Sequence, residues 1–91
     1  MKRVTKKVVP GFLDDIIAGR KKFDLRLNDF EIEEGDILIL EEYTSTDPET
    51  RLPTGRKIEK LVTYVKKFDS EDLWWSPEQI KENGLQVITF D

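Results

Sequence analysis

Apolar and polar positions alternate at the start of the chain, switch to a helical period, and then alternate again. Residues 4–9 read as a first strand, stopped by Pro10. Phe12, Leu13, Ile16 and Ile17 form one stripe at helical spacing, with Asp14 and Asp15 on the other side. Pro10 suits a first helical position and Gly19 the residue just past a helix end, so the spacing predicts a short helix over 10–18. Lys22-Phe23-Asp24-Leu25-Arg26-Leu27 alternates strictly. It predicts a half-buried strand with Phe23, Leu25 and Leu27 inward and Lys22, Asp24 and Arg26 sharing the other face. Asn28-Asp29 and Glu33-Glu34-Gly35-Asp36 read as turns, and residues 37–40 as a strand buried on both sides. Residues 44–55, rich in Thr, Ser, Pro, Asp and Gly, read as a long, mobile loop. Residues 56–68 read as a long strand whose apolar residues change face near Leu61 and Val62, which predicts a bulge or strong bend. Ser76-Pro77-Glu78-Gln79 has the form of a capped helix start, Asn83-Gly84 ends that helix, and residues 85–90 form a last strand. The order β-α-β-β-β-α-β predicts an α+β fold. A mostly antiparallel curled sheet or small barrel of about five strands with two short helices fits it better than a doubly wound sheet.

At 91 residues the chain has room for one domain, 1–91. Charged and hydrophobic residues each make up 37%, but five Phe, two Tyr and two Trp suffice for a small core. There is no Cys and no His, which removes thiol nucleophiles, disulfides, Cys/His zinc sites and an imidazole base. Acid–base chemistry would have to come from Lys, Asp, Glu, Tyr or water. No loop has calcium-site spacing, and no metal or cofactor is expected. The longest apolar run, 37–40, is far short of a membrane span, and the basic start lacks an apolar leader after it. The expectation is a soluble, cytoplasmic monomer without a membrane partner.

The net charge of −4 hides a strong segregation. Residues 1–26 carry net +5, 27–50 net −9, 51–67 net +5 and 68–91 net −5. The two basic blocks could fold into one patch, a footprint for phosphate. The plainer alternative is that basic and acidic segments pair across neighbouring strands and cancel. The acidic run from Asp29 to Asp36 fits a solvated strand edge better than a metal site.

The segment Gly19-Arg20-Lys21-Lys22-Phe23-Asp24-Leu25-Arg26 resembles the Gly-x-Lys-x-x-x-x-Arg motif of the ASCH domain, a branch of the PUA-like superfamily. The preceding Phe12-Leu13-Asp14-Asp15-Ile16-Ile17-Ala18 resembles the helix leading into that motif. Leu27-Asn28-Asp29, Gly35-Asp36-Ile37-Leu38, Thr54-Gly55-Arg56 and Gly84-Leu85 resemble later landmarks of a small ASCH-like branch of bacterial and phage proteins. The resemblance implies a small PUA-like β-barrel with a helix over one end and a cleft beside the motif. It also implies RNA or a nucleoside or nucleotide as partner. One ASCH family removes the acetyl group from N4-acetylcytidine. That family has a Lys matching Lys21, a Thr where this chain has Asp24, and an acid near Asp69, Glu71 or Asp72.

Two readings follow, an RNA- or nucleotide-binding module and an amidohydrolase on N4-acylated cytidine; a plain protein-interaction domain stands third. Gly19, Arg20, Lys21, Arg26, Arg56 and Trp74 are the candidate binding residues, and Lys21 and Asp24 the catalytic ones if the protein is an enzyme. Lys21 is a phosphate anchor at its ordinary pKa and a base or nucleophile only if burial or neighbouring cations lower it; the alternative is a solvated turn residue. Arg26 could grip a phosphate or a base edge, or pair with Asp24 or an acid of the 29–36 block. Asp24 is a base or a holder of Lys21. Of Trp74 and Trp75, one is expected to close the core and the other is available to stack on a base. Tyr43 and Tyr64 are expected in strands, at core or rim.

Overall fold

The computed structural model describes residues 1–27, 29–67 and 72–83. It is a small α+β protein whose described elements are β1 (Arg3–Val8), α1 (Pro10–Ile17), β2 (Ile37–Tyr43), β3 (Pro53–Leu61) and α2 (Pro77–Asn83). The chain divides into two compact units. One comprises Met1–Asp24 and Glu31–Val65, the other Leu25–Phe30 and Lys66–Asp91.

The first unit is built on a three-stranded sheet in the order β1-β2-β3. β1 runs parallel to β2, with Arg3 opposite Ile37 and Val8 opposite Glu42. β3 runs antiparallel to β2, with Leu61 opposite Ile37 and Ile58 opposite Leu40. The sheet is therefore mixed, and among the described residues it does not close into a barrel. Two parallel neighbours need a crossover between them, and α1 lies in that connection. Side chains alternate across a strand, so Leu38 and Leu40 of β2, Val8 of β1 and Ile58 of β3 share one sheet face. Leu13 and Ile16 of α1 pack there, forming the buried core with Val8 and Leu40.

The helix expected over 10–18 is present, with Pro10 at its start after an extended Val9. Only half of its apolar stripe is buried. Leu13 and Ile16 face the sheet, whereas Phe12 and Ile17 are 54% and 55% exposed. The end of α1 is a Schellman motif. Gly19 adopts φ +78°, its N–H donates to the Ile16 carbonyl at 3.0 Å, and the Arg20 N–H donates to the Asp15 carbonyl at 2.9 Å. A side chain at Gly19 would be strained by that left-handed conformation.

Four expectations are corrected. Residues 22–27 alternate but form no strand, and Leu25 and Leu27 stand largely exposed. Alternation makes a segment fit for a sheet only if an edge accepts it, and no described strand pairs with this one. The irregularity placed near Leu61 and Val62 lies elsewhere. Glu41 pairs with Lys57 and Tyr43 with Pro53, so β3 spends two more residues than β2 across that step. The extra length falls around Gly55, whose φ of +92° lets the strand turn. At the other end β3 stops at Leu61, and Tyr64 is exposed beyond it rather than set in a strand. Finally, residues 44–52 close as a hydrogen-bonded hairpin end. Thr44 donates its N–H to the Leu52 carbonyl at 2.9 Å, and Leu52 donates back to Thr44 Oγ1 at 3.1 Å.

In the second unit α2 has the expected reciprocal cap. Gln79 donates its N–H to Ser76 Oγ at 3.2 Å, and Ser76 donates its N–H to Gln79 Oε1 at 2.8 Å. Neither Trp is buried: Trp74 is 92% exposed and Trp75 51%. The expectation that one of them closes the core is therefore overturned. The strand expected over 85–90, and Asp69 and Glu71, lie outside the described residues.

Candidate functional site

The Schellman end of α1 places the Gly-x-Lys segment. The Asp15 carbonyl accepts from the backbone N–H of both Arg20 and Lys21, at 2.9 and 3.1 Å. The chain is thereby folded back beside the helix, and Lys21 comes to lie against the side chain of Phe12. Phe12, Asp15, Arg20, Lys21 and Phe23 together line an open crevice of about 300 Å³. That is the lower end of the range for small-ligand sites.

Lys21 is the centre of this crevice. Its Nζ donates to the Phe23 carbonyl at 2.7 Å and lies 3.7 Å from Asp24 Oδ1. The ammonium also sits 4.5 Å from the centroid of the Phe23 ring and 5.3 Å from that of Phe12. Both distances are within cation–π range. The side chains of Lys21 and Asp24 are only 13% and 15% exposed. This is not the solvated turn lysine of the plain alternative. Phe23 and Phe12 remain 37% and 54% exposed, so aromatic surface faces the opening.

Arg56 has a different setting. Its Nε donates to Glu42 Oε1 at 3.0 Å, and its Nη2 donates to Glu42 Oε2 at 2.5 Å and to Asp14 Oδ1 at 2.8 Å. Thr54 Oγ1 donates to Glu42 Oε1 at 2.6 Å. Glu42 is buried, and its position on β2 has the inward parity of Leu38 and Leu40. The hydrogen bonds from Arg56, then Thr54, hold its carboxyl below the ordinary 4.5, against the upward push of burial. The bonds to Glu42, then Asp14, raise the Arg56 guanidinium above its ordinary value. The kink at Gly55 brings Arg56 onto Glu42, and Asp14 ties both to α1. Arg56 is thus held in an ion cluster and is not among the residues that line the crevice.

Asp36 is a second buried acid. Its carboxylate accepts the Lys2 N–H at 2.9 Å and the Glu33 N–H at 3.0 Å. Those two bonds, the Lys2 one foremost, lower its pKa below 3.8. The Val62 N–H donates to the Asp36 carbonyl and Gly35, with φ +92°, donates its N–H to the Val62 carbonyl, both at 2.9 Å. Gly35-Asp36 therefore joins the ends of all three strands.

The structure brings Gly19, Arg20, Lys21 and Asp24 together in the first unit. Arg26, half-buried, and Trp74 belong to the second unit. β1 and β3 flank β2, whose Glu41 and Glu42 stand between the basic strands. Arg3 pairs with Glu59 across the sheet, and Lys7 and Lys57 both lie opposite Glu41. Arg3, Lys7, Arg56 and Lys57 thus meet acids across the sheet. Lys7 and Arg51 also lie over the Tyr43 ring, at 5.5 and 6.0 Å from its centroid. Sequence reasoning missed Glu42 and the role of Asp14. The available signal was an acid at an inward position of a strand. It also missed Asp15, Phe12 and Phe23 as crevice walls.

Among the described residues there is no group of three or more acids placed to hold a metal ion, and no helix is long and apolar enough to cross a membrane. A family model described as a domain of unknown function, DUF3850, matches residues 5–75. No curated protein and no solved structure matches the chain.

Proposed function

We propose, for a chain that belongs to the DUF3850 family, an RNA- or nucleotide-binding role centred on the crevice beside Lys21. The observation that carries this reading is the ammonium of Lys21, held against two phenyl rings at the wall of an open crevice. A planar base gains stacking on exposed aromatic surface and a hydrogen bond from a positioned cation. The ASCH-like motif, with a PUA-like barrel as the complete fold and a cytoplasmic setting, belongs to the same proposal. The test is an NMR titration of labelled protein with nucleosides and short single-stranded RNA. The expected shifts fall on Phe12 and residues 19–24, and Lys21→Glu weakens binding at least tenfold. Wild-type protein that shows no shift with any of these ligands would sink the reading.

A second reading, an amidohydrolase acting on N4-acylated cytidine, is favoured by one feature. Lys21 and Asp24 form a largely covered cation–carboxylate pair beside the crevice. Such a pair can polarise an acyl carbonyl and accept a proton from attacking water. Water adds to the acyl carbon, the C–N bond breaks, and the free amine and a carboxylic acid are released. Growth of an acetate signal during a titration with N4-acetylcytidine, lost in Lys21→Ala, is the expected result. A constant spectrum over hours removes this activity for that substrate.

A further inference from the structure

The charges around the crevice say which part of a nucleotide it takes. Two cations, Arg20 and Lys21, meet two carboxylates: Asp15 in the lining and Asp24 at 3.7 Å from Lys21 Nζ. These four side chains sum to a formal charge of zero. One N–H of Lys21 is already given to the Phe23 carbonyl at 2.7 Å. A phosphate entering here would gain two attractions and meet two repulsions. It would also have to compete with Asp24 for the same ammonium.

An uncharged planar heterocycle meets no such conflict. Its acceptor takes a remaining N–H of Lys21, its N–H or amino group donates to the Asp15 carboxylate, and its ring lies on the exposed parts of Phe12 and Phe23. The volume of about 300 Å³ suits one base rather than a stacked pair. We infer that the crevice recognises the base of a single unpaired nucleotide and leaves its phosphate outside. This rests on the nucleotide-binding reading above and specifies which chemical group that site contacts.

The experiment is a calorimetric or NMR comparison of uridine, cytidine and guanosine with their 5′-monophosphates, ribose 5-phosphate and inorganic phosphate, at 50 and 300 mM salt. The expected result is nucleoside and nucleotide affinities within about threefold, less than a twofold change with salt, and no competition from ribose 5-phosphate or phosphate. Asp15→Asn should lower nucleoside affinity at least fivefold. Phe12→Ala, at an exposed ring, should do the same, and the circular dichroism of each variant checks its fold. A gain above tenfold on adding the 5′-phosphate, with a steep salt dependence, overturns the base-only inference while nucleotide binding stands. Unchanged affinity in both variants overturns the assigned contacts. If no nucleoside or nucleotide binds, the inference and the reading beneath it fall together.

Discussion

Lys21 and Arg56 both come from basic stretches of the chain and both end up beside carboxylates, yet their surroundings differ in kind. The Arg56 guanidinium is engaged by a buried Glu42 and by Asp14, and Thr54 completes the set. Planar, bidentate geometry of this sort fixes three elements at once and leaves the cation committed. Lys21 makes one short hydrogen bond, to a carbonyl, and keeps its carboxylate at 3.7 Å. Its remaining neighbours are rings that attract it without accepting a conventional hydrogen bond. A cation so placed retains capacity for a ligand. The lesson is to compare how fully a charged group is matched, rather than whether it is charged or paired.

Variants separate the two regions, in order of expected effect. Leu40→Ala, in the core beneath the sheet, sets the scale: a fully buried leucine lost to alanine costs about 2–5 kcal/mol, read by denaturant unfolding. Glu42→Ala comes next. It removes the buried carboxylate that takes two hydrogen bonds from the half-exposed Arg56 and one from Thr54, so melting temperature falls by several degrees while any crevice binding that survives folding is unchanged. A Glu42→Ala protein as stable as wild type would remove the cluster from the structural side of the comparison. Lys21→Met should do the reverse, abolishing ligand shifts while holding the melting temperature within about 4 °C. Arg3→Ala breaks an exposed pair with Glu59, and its cost should stay below about 1 kcal/mol.

Acid should act on the structural region. The carboxyls of Glu42 and Asp36 lie below their ordinary values of 4.5 and 3.8. Near those ordinary values the unfolded chain binds more protons than the folded one, so stability rises with pH. The contribution is complete above about pH 5.5 and is lost as pH falls through the ordinary values toward the lowered ones. Thermal melts between pH 3 and 7 should show this acid limb. Glu42→Gln and Asp36→Asn should flatten it, and Lys21→Met should leave it in place.

Much of this was legible in the chain. Pro10 and Gly19 bracket α1, and Ser76 with Gln79 announces α2, because caps depend on local backbone chemistry. The apolar run at 37–40 marks β2, and the Gly19-to-Arg26 segment points to the crevice. What failed were matters of partnership. Residues 22–27 alternate like a strand, but pairing is decided by a distant edge. Phe12 has helical spacing with Leu13 and Ile16, but the helix rotation that leaves it outside is set by the sheet. The ion cluster of Arg56 was not legible because its partners Glu42 and Asp14 are distant in sequence. Trp74 and Trp75 read partly as core on size alone, and size does not guarantee a place inside.

The parallel pairing of β1 with β2 also sets an order of assembly. β2 and β3 are joined by a short hairpin and close a small loop, whereas Arg3 must find Ile37 across the whole α1 segment. Loop-closure entropy therefore favours the hairpin first and β1 last. During synthesis β1 leaves the ribosome before β2 and waits for it, its lysines and arginine keeping it solvated meanwhile. Substitutions in the hairpin should slow folding, and substitutions in β1 should chiefly hasten unfolding.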